Sequence, residues 1–86
     1  MFKPGTEVTW TSQAGGYEKT KTGTILYCIL KNDNLRKLLP EDFPFKKIQG
    51  QMVSQIDRYL VEVKTGPKAI KYYTPYASWI RETVNG

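Results

Sequence analysis

The 86-residue chain contains no histidine and a single cysteine, Cys28. Without histidine, the commonest general base and metal ligand is missing. One thiol makes neither an internal disulfide nor a zinc cluster. No apolar run approaches the roughly 18 residues that a membrane helix needs, and no hydrophobic stretch of secretory length follows Met1-Phe2-Lys3-Pro4-Gly5. The expectation is a cytoplasmic protein with no membrane partner. A glycine-rich phosphate loop is also missing, since Gly15-Gly16 alone matches no nucleotide-binding pattern. Acidic pairs such as Glu41-Asp42 have the character of a solvated surface, and other spacings match no metal loop. This inventory points away from catalysis, toward a binding protein without a metal or small-molecule cofactor.

What the chain does have is rings and positive charge. Two Trp, six Tyr and three Phe lie within 86 residues. Large rings dominate burial area, so they supply much of a core that must be thin in so short a domain. The length allows one domain, residues 1–86. Thirteen Lys and Arg oppose eight Asp and Glu, giving a formal charge of +5. Residues 1–43 carry six basic and five acidic side chains, whereas residues 44–86 carry seven and three. The excess is diffuse apart from Arg36-Lys37 and Lys46-Lys47. It suits an ordinary solvated basic surface and equally permits attraction to phosphate.

Periodicity reads as β structure. After the Pro4-Gly5 turn signal, Glu7-Val8-Thr9-Trp10-Thr11 alternates, with Val8 and Trp10 on one face. Ser12 to Gly16 reads as a loop. Lys19 to Leu30 is the longest β-like run, polar before Gly23 and apolar on both faces after it. A glycine within a strand marks a bulge or bend, so the run is expected to bend at Gly23. Residues 31–57 break the pattern and read as a long irregular connection, a feature that is often functional. Within it, Asp33 or Asn34 suits the cap of a short helical turn through Leu35, Leu38 and Leu39, ended by Pro40. Arg58 to Lys64 is the clearest strand, with Tyr59, Val61 and Val63 inward. Thr65 to Lys68 turns the chain, and Ala69 to Tyr73 runs back as its hairpin partner. Pro75 to Ser78 reads as one 3₁₀ turn and Trp79 to Val84 as a closing strand; the rival is an α-helix from Pro75 to Thr83. Val8, Trp10, Ile25, Val61, Val63, Ile70 and Ile80 are expected to share one core.

Five short strands, one long connection and a 3₁₀ turn before the last strand suit a small barrel. The segments Lys3-Pro4-Gly5-Thr6-Glu7-Val8-Thr9-Trp10, Lys21-Thr22-Gly23-Thr24-Ile25, Arg58-Tyr59-Leu60-Val61-Glu62-Val63 and Tyr72-Tyr73-Thr74-Pro75 resemble small bacterial and bacteriophage proteins with KOW- or Tudor-like SH3-like barrels. The resemblance implies a mainly β, five-stranded SH3-like barrel. It also implies that the loop after the first strand and the turn before the last strand line one edge of that barrel.

The candidate binding residues are therefore Tyr17, Lys19 and Lys21 on one side of that edge, with Lys71, Tyr73 and Tyr76 on the other. Rings there could stack on bases or cage a methylated cation, and lysines could meet phosphates. The plainer reading makes Trp10, Tyr59 and Tyr72 core and has Trp79 plug the barrel end. Phe43, Phe45 and Ile48 allow a third site, an apolar patch docking onto a protein, against the plainer reading that they cover the open barrel end. Two functions follow. One is a module that binds nucleic acid or a nucleoprotein through the basic, aromatic loop edge. The other is a protein-interaction adaptor, either phage-derived and acting on a host protein or a self-associating dimer.

Overall fold

The computed structural model describes residues 2–14 and 16–83; the side chains of residues 12–14 and 17 fall outside that description. The described residues form a mainly β domain with little helix. Its elements are β1 (Glu7–Ala14), β2 (Tyr17–Ile29), α1 (Leu35–Leu38), a 3₁₀ turn (Phe45–Lys47), β3 (Ile48–Gln49), β4 (Arg58–Lys64), β5 (Ile70–Tyr73), a second 3₁₀ turn (Ala77–Trp79) and β6 (Arg81–Glu82). The strands make one mixed sheet in the order β3-β5-β4-β2-β1-β6. Only the β3–β5 pair among them is parallel. In β4 and β5 the strand and hairpin expectations hold nearly residue for residue.

The sheet curls. Neighbouring strands lie about 4.8 Å apart, so β1 and β5, three steps apart in the order, would be separated by roughly 14 Å in a flat sheet. Instead the rings of Trp10 on β1 and Tyr73 on β5 meet edge to face at 6.1 Å. Inside the curl Val8, Trp10, Ile25, Tyr59, Val61 and Ile80 form a first core, with Val63 and Tyr73 packed against it. The buried Tyr59 hydroxyl accepts a hydrogen bond from the Phe2 amide at 3.1 Å, so the ring is buried without stranding its polar end.

Several expectations are corrected. The strands number six, because β3 adds itself parallel to β5 from within the long connection. Two residues are too few for any alternation to show. That connection is not irregular either. Asn34 caps α1, its Oδ1 accepting from the Arg36 amide at 2.9 Å, and Leu39 closes the turn just before Pro40. The Leu35 amide donates to the Met52 carbonyl at 2.9 Å and the Asn32 amide to that of Ser54 at 2.8 Å, so the excursion is stitched to itself. It builds a second core of Ile29, Leu35, Leu39, Ile48, Leu60 and Tyr72 on the opposite face of the sheet. Ile70 belongs there, not to the first core. Leu60 is fully buried beside the inward Tyr59 and Val61, because β4 is sandwiched between two cores.

The irregularity in β2 falls between Ile25 and Tyr27, not at Gly23. An extra residue there lets the strand supply Ile25 to one core and Ile29 to the other. Gly23 has a different constraint. A Cβ at that position would run into the Glu62 carbonyl and lie 2.7 Å from Val61 Cγ1. Ser12 to Ala14 continue β1 and Tyr17 already begins β2, so the hairpin is longer and its loop shorter than expected. At the far end, the Tyr59 amide donates to the Pro75 carbonyl and Ala77 donates to Asp57. These bonds hold residues 75–77 against the start of β4, so the 3₁₀ turn begins only at Ala77 and the closing strand only at Arg81. Val84, the expected end of that strand, lies outside the described residues.

Candidate functional site

Strand register decides which side chains share the mouth of the first core. Trp10 pairs with Lys21 across the β1–β2 hairpin, so both point to the same face. Tyr73 reaches that face from β5, and Gln49, its partner in β3, lies beside it. The Lys21 ammonium sits over the Tyr73 ring, 5.1 Å from its centroid. Together with Gly50, Gln51 and the Thr74-Pro75 turn, these residues border an open groove of about 280 Å³. No Asp or Glu is among the described residues that line it.

Arg58 and Trp79 close the other side of the groove. Arg58 Nε donates to Ser54 Oγ at 2.7 Å, and its Nη1 donates to the Thr74 carbonyl at 2.7 Å. Ser54 and Thr74 are both buried. The guanidinium thus ties the end of the long connection to the turn after β5, with a geometry that only a forked donor supplies. It also lies over the Tyr76 ring at 4.1 Å, and Tyr76 meets Trp79 edge to face at 4.4 Å. The order is cation, ring, ring. Each contact of this kind contributes about 0.5–1.5 kcal/mol, enough to hold the rings in place. Trp79 is not the buried plug expected of it, because 47% of it remains exposed.

The structure thus brings Lys21 and Tyr73 to one groove, sets Tyr76 against Arg58 and Trp79 of its wall, and separates the other candidates. Lys19 is exposed further along the β1–β2 hairpin, opposite Ser12. Lys71 is exposed on β5 and borders a neighbouring depression. The Tyr17 side chain lies outside the described residues. Ile48 is buried in the second core, and Phe43 and Phe45 pack against that core with Phe43 at 4.8 Å from Tyr72. Their first duty is cover. Trp10, Tyr59 and Tyr72 are buried, as the plainer reading has it.

Sequence reasoning missed Arg58 and the glutamines of residues 49–51 as groove residues. Gln49 gave no signal, since its placement depends on a two-residue strand. Arg58 opens the clearest strand, yet its partners Ser54 and Thr74 are 4 and 16 residues away. Burial pushes the Tyr72 hydroxyl above its ordinary range, with Glu62 adding to the effect. That group lies on the second-core side, away from the groove. Among the described residues no cluster of His, Cys, Asp or Glu could hold a metal ion. No helix is long and apolar enough to cross a membrane. Comparison with protein families, curated proteins and solved structures finds no match to this chain.

Proposed function

We propose that this domain is a non-catalytic module that binds nucleic acid, alone or within a nucleoprotein, through the groove between Trp10, Lys21, Tyr73 and Trp79. The observation that carries the reading is the composition of that groove: ring faces and edges with two cations and no acid among its described lining residues. Base stacking on aromatic side chains is tolerant of sequence, and flanking cations serve the phosphates. Rings and cations are held by Arg58 and by each other, so little ordering is left for the ligand to impose. The fold proposed for it is an SH3-like barrel of the KOW or Tudor type. Its support is the curl of the sheet, the 3₁₀ turn ahead of β6 and the sequence resemblance, with β3 as an added edge strand.

An anisotropy titration with labelled single- and double-stranded oligonucleotides at low salt tests the function. Tyr73→Ala is expected to weaken binding by about 1–3 kcal/mol, the value of one stacked base. Affinity should fall steeply with salt, as phosphate contacts require. Absence of binding at tens of micromolar protein, roughly the upper end of non-specific affinity, overturns the proposal. The protein-interaction reading would then lead, with the hollow around Arg36, Phe43, Pro44 and Phe45 as its site.

A further inference from the structure

Beside the groove lies a second depression of about 370 Å³, bordered by Lys46, Lys47, Lys68 and Lys71. Among the described residues none of these four ammonium groups is engaged in an ion pair, and no acid borders the depression. Gln49 borders both it and the groove. The two therefore adjoin at Gln49. Lys71 and Tyr73 stand two residues apart on the same face of β5, about 7 Å along the strand. Lys46 and Lys47 form the 3₁₀ turn that leads into β3, and β3 lies alongside β5. Four like charges gathered by three chain segments raise the local positive potential well above that of scattered lysines.

We infer that the ligand is a single strand of nucleic acid, laid from the ring-lined groove across Gln49 onto this lysine ledge. The inference rests on the proposed function of the groove. Rings take base faces that a duplex keeps stacked, and the lysines take the phosphates that follow. Shape agrees with this. Both depressions are concave, whereas a duplex is read by an element that protrudes into its groove. The β1–β2 hairpin beyond Thr11 pairs only with itself among the described strands, and its Glu18 stands next to Lys19, so those two charges cancel.

The test uses anisotropy with labelled dT12 and a 12-base-pair duplex, each titrated at several salt concentrations. Three proteins are compared: the native chain, a Lys46→Ala/Lys47→Ala/Lys68→Ala/Lys71→Ala variant and Tyr73→Ala. The native chain should prefer dT12. The fourfold variant should lower the slope of log affinity against log salt by about 2–3, at roughly 0.7 per phosphate contact on a single strand. Tyr73→Ala should weaken binding and leave the slope unchanged, since the ring carries no charge. Exposed lysines contribute little to stability, and Lys68→Gln/Lys71→Gln, expected to lower the slope by about 1–1.5, replaces the fourfold variant if that one melts early. An unchanged slope overturns the ledge and leaves the groove standing, provided Tyr73→Ala still weakens binding. Preference for the duplex overturns the single strand. Failure of the native chain to bind dT12 at all removes the groove reading, and this inference with it.

Discussion

Two places on this molecule combine aromatic rings with cations, and they differ in what lies beneath the rings. At the groove, Arg58 covers Tyr76, which meets Trp79, and Trp79 is 47% exposed. On the opposite face, Arg36 sits over Phe45 at 5.1 Å, and Phe45 meets Phe43 at 5.6 Å. There the rings close over Leu35, Leu39 and Tyr72 of the second core. The pairings look alike and their consequences diverge. Rings that close over a buried core stabilise the fold, whereas a half-exposed ring at a groove mouth leaves a surface for a ligand.

The largest expected effect is on the second-core side. Leu35 is fully buried there at the start of α1. Leu35→Ala should cost about 2–5 kcal/mol in urea unfolding, as deletions of buried leucine do. A loss under about 1 kcal/mol, well below that range, would mean that the connection is not anchored by this core. On the first-core side, Gly23→Val should destabilise by more than about 1 kcal/mol. The added side chain has to displace the Glu62 carbonyl on β4. Wild-type melting would show that β2 and β4 can separate at that point without penalty.

The paired rings give a smaller and sharper contrast. Phe43→Ala should cost about 1–2 kcal/mol of stability, a fraction of the roughly 3–5 kcal/mol for a fully buried ring. Trp79→Ala should cost less than about 1 kcal/mol of stability and about 1–3 kcal/mol of binding. If Trp79→Ala proves the more destabilising of the two, the assignment of cover and site is reversed.

The smallest effect concerns Cys28. It packs against the first core, and burial raises its thiol above the ordinary range, with Asp57 and Asp33 of the connection adding to the rise. Its pKa is raised in the fold, so the unfolded chain loses that proton first. Stability therefore falls as pH climbs past the ordinary thiol range, and below that range the group contributes no pH dependence. Alkylation by iodoacetamide near pH 8 should accordingly be slower than for an exposed thiol peptide. An equal rate would place Cys28 in open solvent.

How much of this was legible in the sequence follows the range of each signal. Local signals read well: the Arg58–Lys64 strand, the hairpin after it, a cap at Asp33 or Asn34, which the structure gives to Asn34, and the stop at Pro40. The apolar run from Ile25 to Leu30 pointed to burial on both faces, and Ile25 and Ile29 do enter two cores, but Tyr27 and Leu30 are exposed and the cause of the division was not visible. The bulge at Leu26 and the second core depend on Leu35, Leu39 and Ile48 arriving from a distant segment. The same distinction applies to the site. Tyr73 and Tyr76 were found because they flank the Thr74-Pro75 turn, and loops often carry function; Lys21 was found by its nearness to a loop read over residues 12–16, although it lies within β2. Lys71 was grouped with them on strand proximity alone, and Lys46, Lys47 and Lys68 were not read as its neighbours. Lys68 precedes β5 in the hairpin turn, and the parallel pairing of β3 with β5 brings Lys46 and Lys47 alongside.

The central claim is that the groove rings stack on the bases of a nucleic acid, and Trp79 reports on it directly. The other tryptophan is Trp10, which is buried. In a Trp10→Phe chain, all tryptophan emission therefore comes from Trp79. Titration with dT12 at low salt should quench that emission saturably, and added salt should restore it as the phosphate contacts weaken. Emission that stays constant while an anisotropy signal shows dT12 bound would contradict the account, because the strand would then lie elsewhere on the molecule.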